Sequence, residues 1–382
     1  LSDIVEGHIS KEHKNSLLEQ FSPGRALIFA TAKKDLLAKT KGHYPAPLAA
    51  LDAIERNIDS SVELGLEIEK EAFSHLAVSK ISKNLIALFF NNETLKKERG
   101  GDGEGADVTQ VAVVGAGVMG GGIAWLFSKI DLAVRLKDIS WDQIGVGMAQ
   151  VSKIYAGYKK RHRMGRREIE AKTSCISYTL DYSGFQKCDF VVEAVVENIN
   201  LKKTIFAQIE AEVKEDTILA SNTSSLSISE IATSLKRPEN LVGMHFFNPV
   251  NRMPLVEIIA GEKSSPRAVA TAVSLAKKAG KTAVVVSDCP GFLVNRILIP
   301  YMNEAAHMLG ERADFEQIDR VIEHFGMPMG PFVLADEVGL DVGYKVAKIL
   351  EEGYGERMRV AEVLGAVYNT HNLLGKKNLE GF

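Results

Sequence analysis

An apolar strand that runs straight into Gly-x-Gly-x-x-Gly constrains this chain more than any other feature. It reads Val111-Ala112-Val113-Val114 and then Gly115-Ala116-Gly117-Val118-Met119-Gly120. Gly115 allows the tight turn, Gly117 lets backbone approach a pyrophosphate, and Gly120 lets the following helix pack close to the strand. The helix over Met119–Lys129 then offers free N–H groups and a partial positive charge to phosphates. A plain glycine-rich turn would show the same three glycines, so the context has to decide. Here the motif follows a strand, opens a helix, and is followed 18 residues after Gly120 by Asp138, at the end of the next strand. An acidic residue at that place accepts hydrogen bonds from ribose hydroxyls and repels a 2′-phosphate. NAD is therefore expected rather than NADP, with the neighbouring Lys137 counting the other way.

The texture of the chain changes three times. Residues 1–99 read as helical, with helix-period apolar positions in Pro47–Ile58 and Glu63–Phe90. Gly100-Gly101-Asp102-Gly103-Glu104-Gly105 follows, four glycines in six residues, which marks 100–107 as a flexible linker. From Val108 short β-branched runs alternate with longer helical stretches, for example Leu201–Val213. Strands are expected at Val111–Val114, Ala133–Lys137, Phe190–Val195, Thr217–Ala220, Leu241–Phe246, Leu255–Ile259 and Thr282–Ser287. That alternation predicts an α/β domain over 108–287, with a mainly parallel sheet covered on both faces. Beyond Asp288-Cys289-Pro290-Gly291 the pattern becomes all-helical over 288–382, with breaks near Gly326–Pro331 and at Gly353.

Composition excludes several classes. With 382 residues, 46% hydrophobic and 25% charged, the chain has the make-up of a soluble globular protein of two or three domains. Counting glycine as a break, its longest apolar run is Leu85–Phe90, far short of the ~18 residues of a membrane span. Asp3 and Glu6 stand where a signal peptide would be basic and then apolar. Cys175, Cys188 and Cys289 are too few and too scattered for a disulfide framework or a metal site. A cytoplasmic location is the default expectation, with no metal. The chain begins at Leu1 and not Met, so a piece of a longer protein is expected.

Chemistry concentrates late in the α/β region. The strand Leu241–Phe246 carries His245 near its end, a turn through Asn248-Pro249 follows, and Leu255–Ile259 returns. A hairpin centred on Asn251 would set His245 directly opposite Glu257, on one face. A carboxylate beside an imidazole fixes its tautomer and raises its basicity, as a general base needs. Taken alone, His245 would read as a structural histidine; the partner and the position reverse that reading. Ser221-Asn222-Thr223-Ser224-Ser225 follows the strand Thr217–Ala220, at the sheet end where ligands sit. These side chains either reach a substrate or cap the segment that starts near Ile228. Ser225 and Ser227 suit the capping role, leaving Ser224 as the substrate contact.

Asp288-Cys289-Pro290-Gly291-Phe292-Leu293-Val294-Asn295-Arg296, with Pro300, resembles the signature of the 3-hydroxyacyl-CoA dehydrogenases. Gly115–Gly120, Val192–Asn198, Ser221–Ser225 and His245–Glu257 resemble the same family in order and spacing, so the likeness covers about residues 108–382. It implies a Rossmann-type NAD-binding domain followed by an all-α C-terminal domain. It implies His245 as catalytic base, Glu257 as its partner, and Ser224 and Asn295 as groups binding the substrate hydroxyl or thioester. NAD contacts are implied from Gly115, Gly117, Met119 and Gly120 and from Asp138, Glu197, Lys202 and Asn248. The implied reaction is NAD-dependent oxidation of L-3-hydroxyacyl-CoA in fatty-acid β-oxidation. Two alternatives are another β-hydroxyacid dehydrogenase with a lysine base, and a non-catalytic NAD-binding scaffold.

Lys159-Lys160-Arg161-His162-Arg163, with Arg166 and Arg167, is the densest positive cluster. It reads either as a solvated helix face or as a patch, including Lys160, Arg163 and Arg166, for the phosphates of coenzyme A. A nucleic-acid role does not suit one isolated cluster in a chain of net charge −3. Residues 1–99, with Gly42–Pro47 and Glu71–Phe90, resemble the tail and connecting helix of the crotonase-like enoyl-CoA hydratase/isomerase domain of multifunctional fatty-acid oxidation alpha subunits. Asp336–Asp341 and the stretch from Gly375 to Phe382 lean towards the bacterial form. That resemblance implies an acyl-CoA thioester substrate, a thiolase subunit as partner of the full-length complex, and no hydratase activity in this chain.

Overall fold

A computed structural model describes residues 21–161 and 163–382. The chain divides into two compact units, Leu1–Asn91 with Asp319–Gly330, and Asn92–Ile318 with Pro331–Phe382.

In the first unit, helices α1 (Ser22–Thr40), α2 (Pro45–Asn57) and α3 (Val62–Ala77) follow one another, and α4 (Lys80–Lys97) begins. Pro45 starts α2 at a position where its missing N–H costs nothing. Ser61 caps α3 by accepting from Leu64 N–H. The apolar period over Glu63–Phe90 is broken in the structure, because Ser79 caps a new helix by accepting from Ser82 N–H at 3.1 Å. His43 and the His324 carbonyl meet at 2.7 Å within this unit.

The second unit is built on an eight-stranded sheet: β1 (Gln110–Val114), β2 (Ala133–Lys137), β3 (Ile176–Thr179), β4 (Phe190–Glu193), β5 (Ile218–Ser221), β6 (Leu241–Phe246), β7 (Leu255–Ala260) and β8 (Thr282–Ser287). Their spatial order is β3-β2-β1-β4-β5-β6-β7-β8. The first six are parallel; β7 runs antiparallel to β6, and β8 parallel to β7. Helices α5 (Val118–Lys129), α6 (Trp141–Lys160), α7 (Arg166–Ser174), α8 (Ile199–Glu212), α9 (Ile228–Ala232) and α10 (Pro266–Lys278) connect them. One apolar cluster joins α5, α6 and α10 to a face of the sheet, and a second joins α8 and α9 to the other. The central strands therefore lose apolar surface on both faces, which favours the continuous apolar runs seen in β1 and β6.

Three details depart from the sequence reading. β3 was not marked by the pattern: in Ile-Ser-Tyr-Thr only the two ends are buried, as suits an edge strand. The glycine-rich segment lies packed on α10, not free of it. A Cβ on Gly103 would fall 2.4 Å from Pro266 backbone, and one on Gly105 3.0 Å from the Ala270 carbonyl. Ala106 N–H also donates to Thr271 Oγ1 at 2.9 Å. The glycines thus permit close backbone approach. Lastly, the C-terminal helices α11 (Val294–Gly310), α12 (Phe315–Phe325), α13 (Pro331–Val338) and α14 (Leu340–Tyr354) break at Gly355, not at Gly353. Gly355 has φ 68°, whereas Gly353 stays helical and makes room for Pro290, which a Cβ would meet at 2.6 Å.

Candidate functional site

The turn after β1 shows why each glycine stands where it does. Gly115 has φ 100°, and a Cβ there would lie 2.6 Å from the Ala194 carbonyl oxygen. A Cβ on Gly120 would lie 1.7 Å from the Gly115 oxygen, so α5 could not approach β1 with any side chain at that position. Gly117, the N-cap of α5, has nothing within 4 Å of its Cβ direction and lends no side chain to the helix end. That open backbone at a helix N-terminus fits a dinucleotide pyrophosphate. Met119 is half-buried against the core cluster, so its contribution at the turn is backbone. Asp138 sits beside the loop, its Oδ2 accepting from Ala116 N–H and its Oδ1 from Ile139 N–H, both at 2.6 Å. Lys137 points elsewhere: its ammonium lies 4.7 Å from the centre of the Tyr182 ring. The cation that could have met a 2′-phosphate is occupied, which agrees with NAD.

A buried polar network links the next strand ends. Glu193 closes β4 with no exposed surface and holds three donors at 2.7 Å: Val195 N–H, Lys202 Nζ and Ser221 Oγ. Lys202, also fully buried, stands 3.4 Å from Glu197 Oε2. Its ammonium pairs with these two carboxylates, and through the second it holds Glu197 in place. Glu197 Oε1 accepts from Thr223 Oγ1 (2.6 Å), Ser224 N–H (2.8 Å) and Ser224 Oγ (3.0 Å). Asn295, at the start of α11, donates from Nδ2 to the Ser224 carbonyl at 2.9 Å. The serine loop and the helical domain therefore meet at the sheet end. Ser227 caps α9, and Thr223, not Ser225, accepts from Leu226 N–H at 2.9 Å. Glu193 has no role in the sequence reading; its only signal is a charge within an otherwise apolar strand.

His245 and Glu257 are opposite one another in the β6–β7 ladder. His245 Nδ1 and Glu257 Oε2 are 2.8 Å apart, with His245 7% and Glu257 1% exposed. A carboxylate this buried needs donors on both oxygens. Glu257 finds them in Leu293 and Val294 N–H, which both donate to Oε1 at 2.9 Å from the first turn of α11. With Nδ1 committed to the carboxylate, Nε2 is the nitrogen left to meet a substrate. Asn248 is exposed just beyond β6, and Asn222 Oδ1 accepts from Phe246 N–H at 2.9 Å.

Residues 110–289 match the family model described as the 3-hydroxyacyl-CoA dehydrogenase NAD binding domain, and residues 291–382 match the C-terminal domain of the same dehydrogenase. The chain belongs to the 3-hydroxyacyl-CoA dehydrogenase family. It is thereby placed among NAD-dependent oxidoreductases. It is similar to the fatty acid oxidation complex subunit alpha of Pseudomonas syringae pv. syringae (strain B728a), at 45% identity over 359 residues. That match covers 93% of this chain and 50% of the relative. The same-named protein of Psychrobacter cryohalolentis is 42% identical over 386 residues, 100% of this chain and 54% of that one. The chain thus spans about half the length of these curated relatives. Among solved structures, (S)-3-hydroxybutyryl-CoA dehydrogenase from Ralstonia eutropha superposes with TM-score 0.69 and 37% identity, over 72% of this chain and 98% of that one. A 3-hydroxybutyryl-CoA dehydrogenase from Escherichia coli K12 gives 0.69 and 33%, over 72% and 59%.

Within this dehydrogenase fold Lys159, Lys160 and Arg161 lie at the end of α6 and Arg163 in the turn before α7, while His162 lies outside the described residues. Lys160, Arg163 and Arg166 are all exposed. Arg166 pairs with Glu170 one turn on, at 2.8 Å. Lys159 and Lys160 occupy the last turn of α6, where a cation complements the helix dipole. Among the described residues no helix is long and apolar enough to cross a membrane, and no three His, Cys, Asp or Glu side chains are grouped to hold a metal.

Proposed function

We propose that this chain oxidises L-3-hydroxyacyl-CoA to 3-ketoacyl-CoA as the dehydrogenase portion of a fatty-acid oxidation complex alpha subunit. The observation that carries the reading is the buried His245–Glu257 pair beside a serine loop, at the end of a sheet whose first turn fits NAD. NAD supplies the hydride acceptor for C3 when bound. His245 Nε2 takes the proton of the 3-hydroxyl, and Glu257 stabilises the resulting imidazolium through Nδ1. Ser224 and Asn295 orient the hydroxyl or thioester oxygen, and Glu197 holds the Ser224 hydroxyl from behind. Gly115, Gly117, Met119 and Gly120 hold the pyrophosphate by backbone, Asp138 the ribose, and Asn248 and Glu197 the nicotinamide end. In reduction His245 returns the proton.

The same reading assigns 108–287 to the NAD-binding domain and 288–382 to the helical C-terminal domain. Residues 1–99 become the tail of a hydratase-like domain with its connecting helix, and 100–107 the linker. Exposed Phe73, Phe89 and Phe90 on α3 and α4 suit helices whose apolar face belongs against more protein. The cytoplasm is the proposed location, and a thiolase subunit the proposed partner of the full-length relatives. The deciding experiment follows NADH absorbance with acetoacetyl-CoA as substrate. Steady oxidation of NADH is expected; NADH binding without turnover would leave a non-catalytic dinucleotide protein.

A further inference from the structure

We propose that Phe292 is a positioning residue for the His245–Glu257 pair, held in an unfavourable backbone conformation that walls the imidazole and aims the next two amides at the carboxylate. This rests on reading His245 as the base. Phe292 has φ 51°, a region that bulky L side chains rarely enter, and it follows Gly291 at φ 74°. Two successive left-handed residues reverse the chain sharply between β8 and α11. Phe292 N–H donates to the Cys289 carbonyl at 3.0 Å, and Arg296 N–H to the Gly291 carbonyl at 3.1 Å.

The reversal has two results at the site. It places the Phe292 ring, 2% exposed, with its centre 6.0 Å from that of the His245 imidazole. Phe247 provides a second aromatic neighbour at 4.5 Å. It also directs Leu293 and Val294 N–H onto Glu257 Oε1, both at 2.9 Å, while Oε2 keeps His245. A carboxylate held at both oxygens cannot rotate, and an imidazole packed against two rings cannot tilt without opening a gap. Glycine would adopt φ 51° freely and still offer both amides. What glycine could not supply is the ring on His245. Strained backbone persists where its surroundings over-determine it, and here the surroundings include the proton-transfer pair.

The test uses the whole chain with acetoacetyl-CoA and NADH. Phe292→Leu retains apolar volume, and Phe292→Gly removes the ring together with the strain; if one fails to fold, the other decides. The measurements are kcat, NADH affinity by fluorescence titration, the thermal midpoint and the isotope effect with C4-deuterated NADH. The expected result is kcat lower by about tenfold or more, NADH affinity within about twofold, and a larger isotope effect. Phe292→Leu should add little to His245→Gln in the double variant, because both act through the same imidazole. A folded variant with kcat within about twofold of the parent, or a loss repeated in full in the His245→Gln background, overturns the proposal. If His245→Gln is itself fully active, the base assignment falls and takes this proposal with it. If His245→Gln is inactive and Phe292→Leu normal, only this proposal falls.

Discussion

At His245 the chemistry turns on which ring nitrogen is left free. Nδ1 is 2.8 Å from Glu257, so Nε2 must do any proton transfer. Replacing His245 by Gln keeps a hydrogen-bonding group of similar reach but removes the proposed base. Turnover should fall by about 10²–10⁴-fold with NADH affinity little changed. Stopped-flow NADH oxidation together with a binding titration checks both halves, and near-normal turnover would sink the assignment. The pairing itself was legible, because two strands folded about Asn251 put 245 opposite 257 and alternation puts both side chains on one face. The support from Leu293 and Val294 was not. Those donors are backbone N–H groups, 36 and 37 residues away, and any residue type but proline carries one. Lys202 is a similar case: the family resemblance implies a cofactor contact for it, while its burial between Glu193 and Glu197 appears only in the folded chain.

Among the elements, Asp189 shows how strand starts are tied together. Just before β4, its Oδ2 accepts from Thr109 N–H and Oγ1 and from Gln110 N–H, at 2.8–3.1 Å, and Oδ1 meets Lys214 at 2.8 Å. Partial burial works to raise its pKa, but the Lys214 ammonium and the Thr109 and Gln110 donors outweigh it and bring the carboxyl down to about 2. A carboxyl depressed in the folded state stabilises the fold above its ordinary value, and that stability is lost as pH falls towards the folded value. Asp189→Asn should therefore cost about 1–2 kcal/mol at pH 7, and the difference should roughly halve by pH 3. Urea unfolding of both proteins across that range is the check; a difference that stays constant with pH contradicts the account. Strands with long apolar runs were legible in the sequence. The four-residue edge strand β3 was not, since half of it faces water and shows no apolar period.

Over the whole molecule, the exposed basic turn between α6 and α7 is the feature whose role depends on a ligand. If it attracts coenzyme A phosphates, charge reversal at Arg163 and Arg166 should raise KM several-fold for a CoA thioester and leave a pantetheine thioester unaffected. Equal effects on the two thioesters would assign the run to a solvated helix face, for which the Arg166–Glu170 pair already offers one explanation.

Sequence alone determined the dinucleotide turn, the alternation that builds the sheet, and the His245–Glu257 register, because each is a short-range pattern of residue type and spacing. Tertiary structure alone decided where the charges went: Lys137 onto Tyr182, Lys202 between two carboxylates, and the second oxygen of Glu257 onto the start of α11. Those outcomes depend on burial, which leaves a charged group little water and so commits it to whichever donor, acceptor or ring face the packing brings beside it. The glycine-rich segment divides between the two levels. Its composition ruled out helix and strand, and only the approach of α10 turned it from a free linker into a packed one.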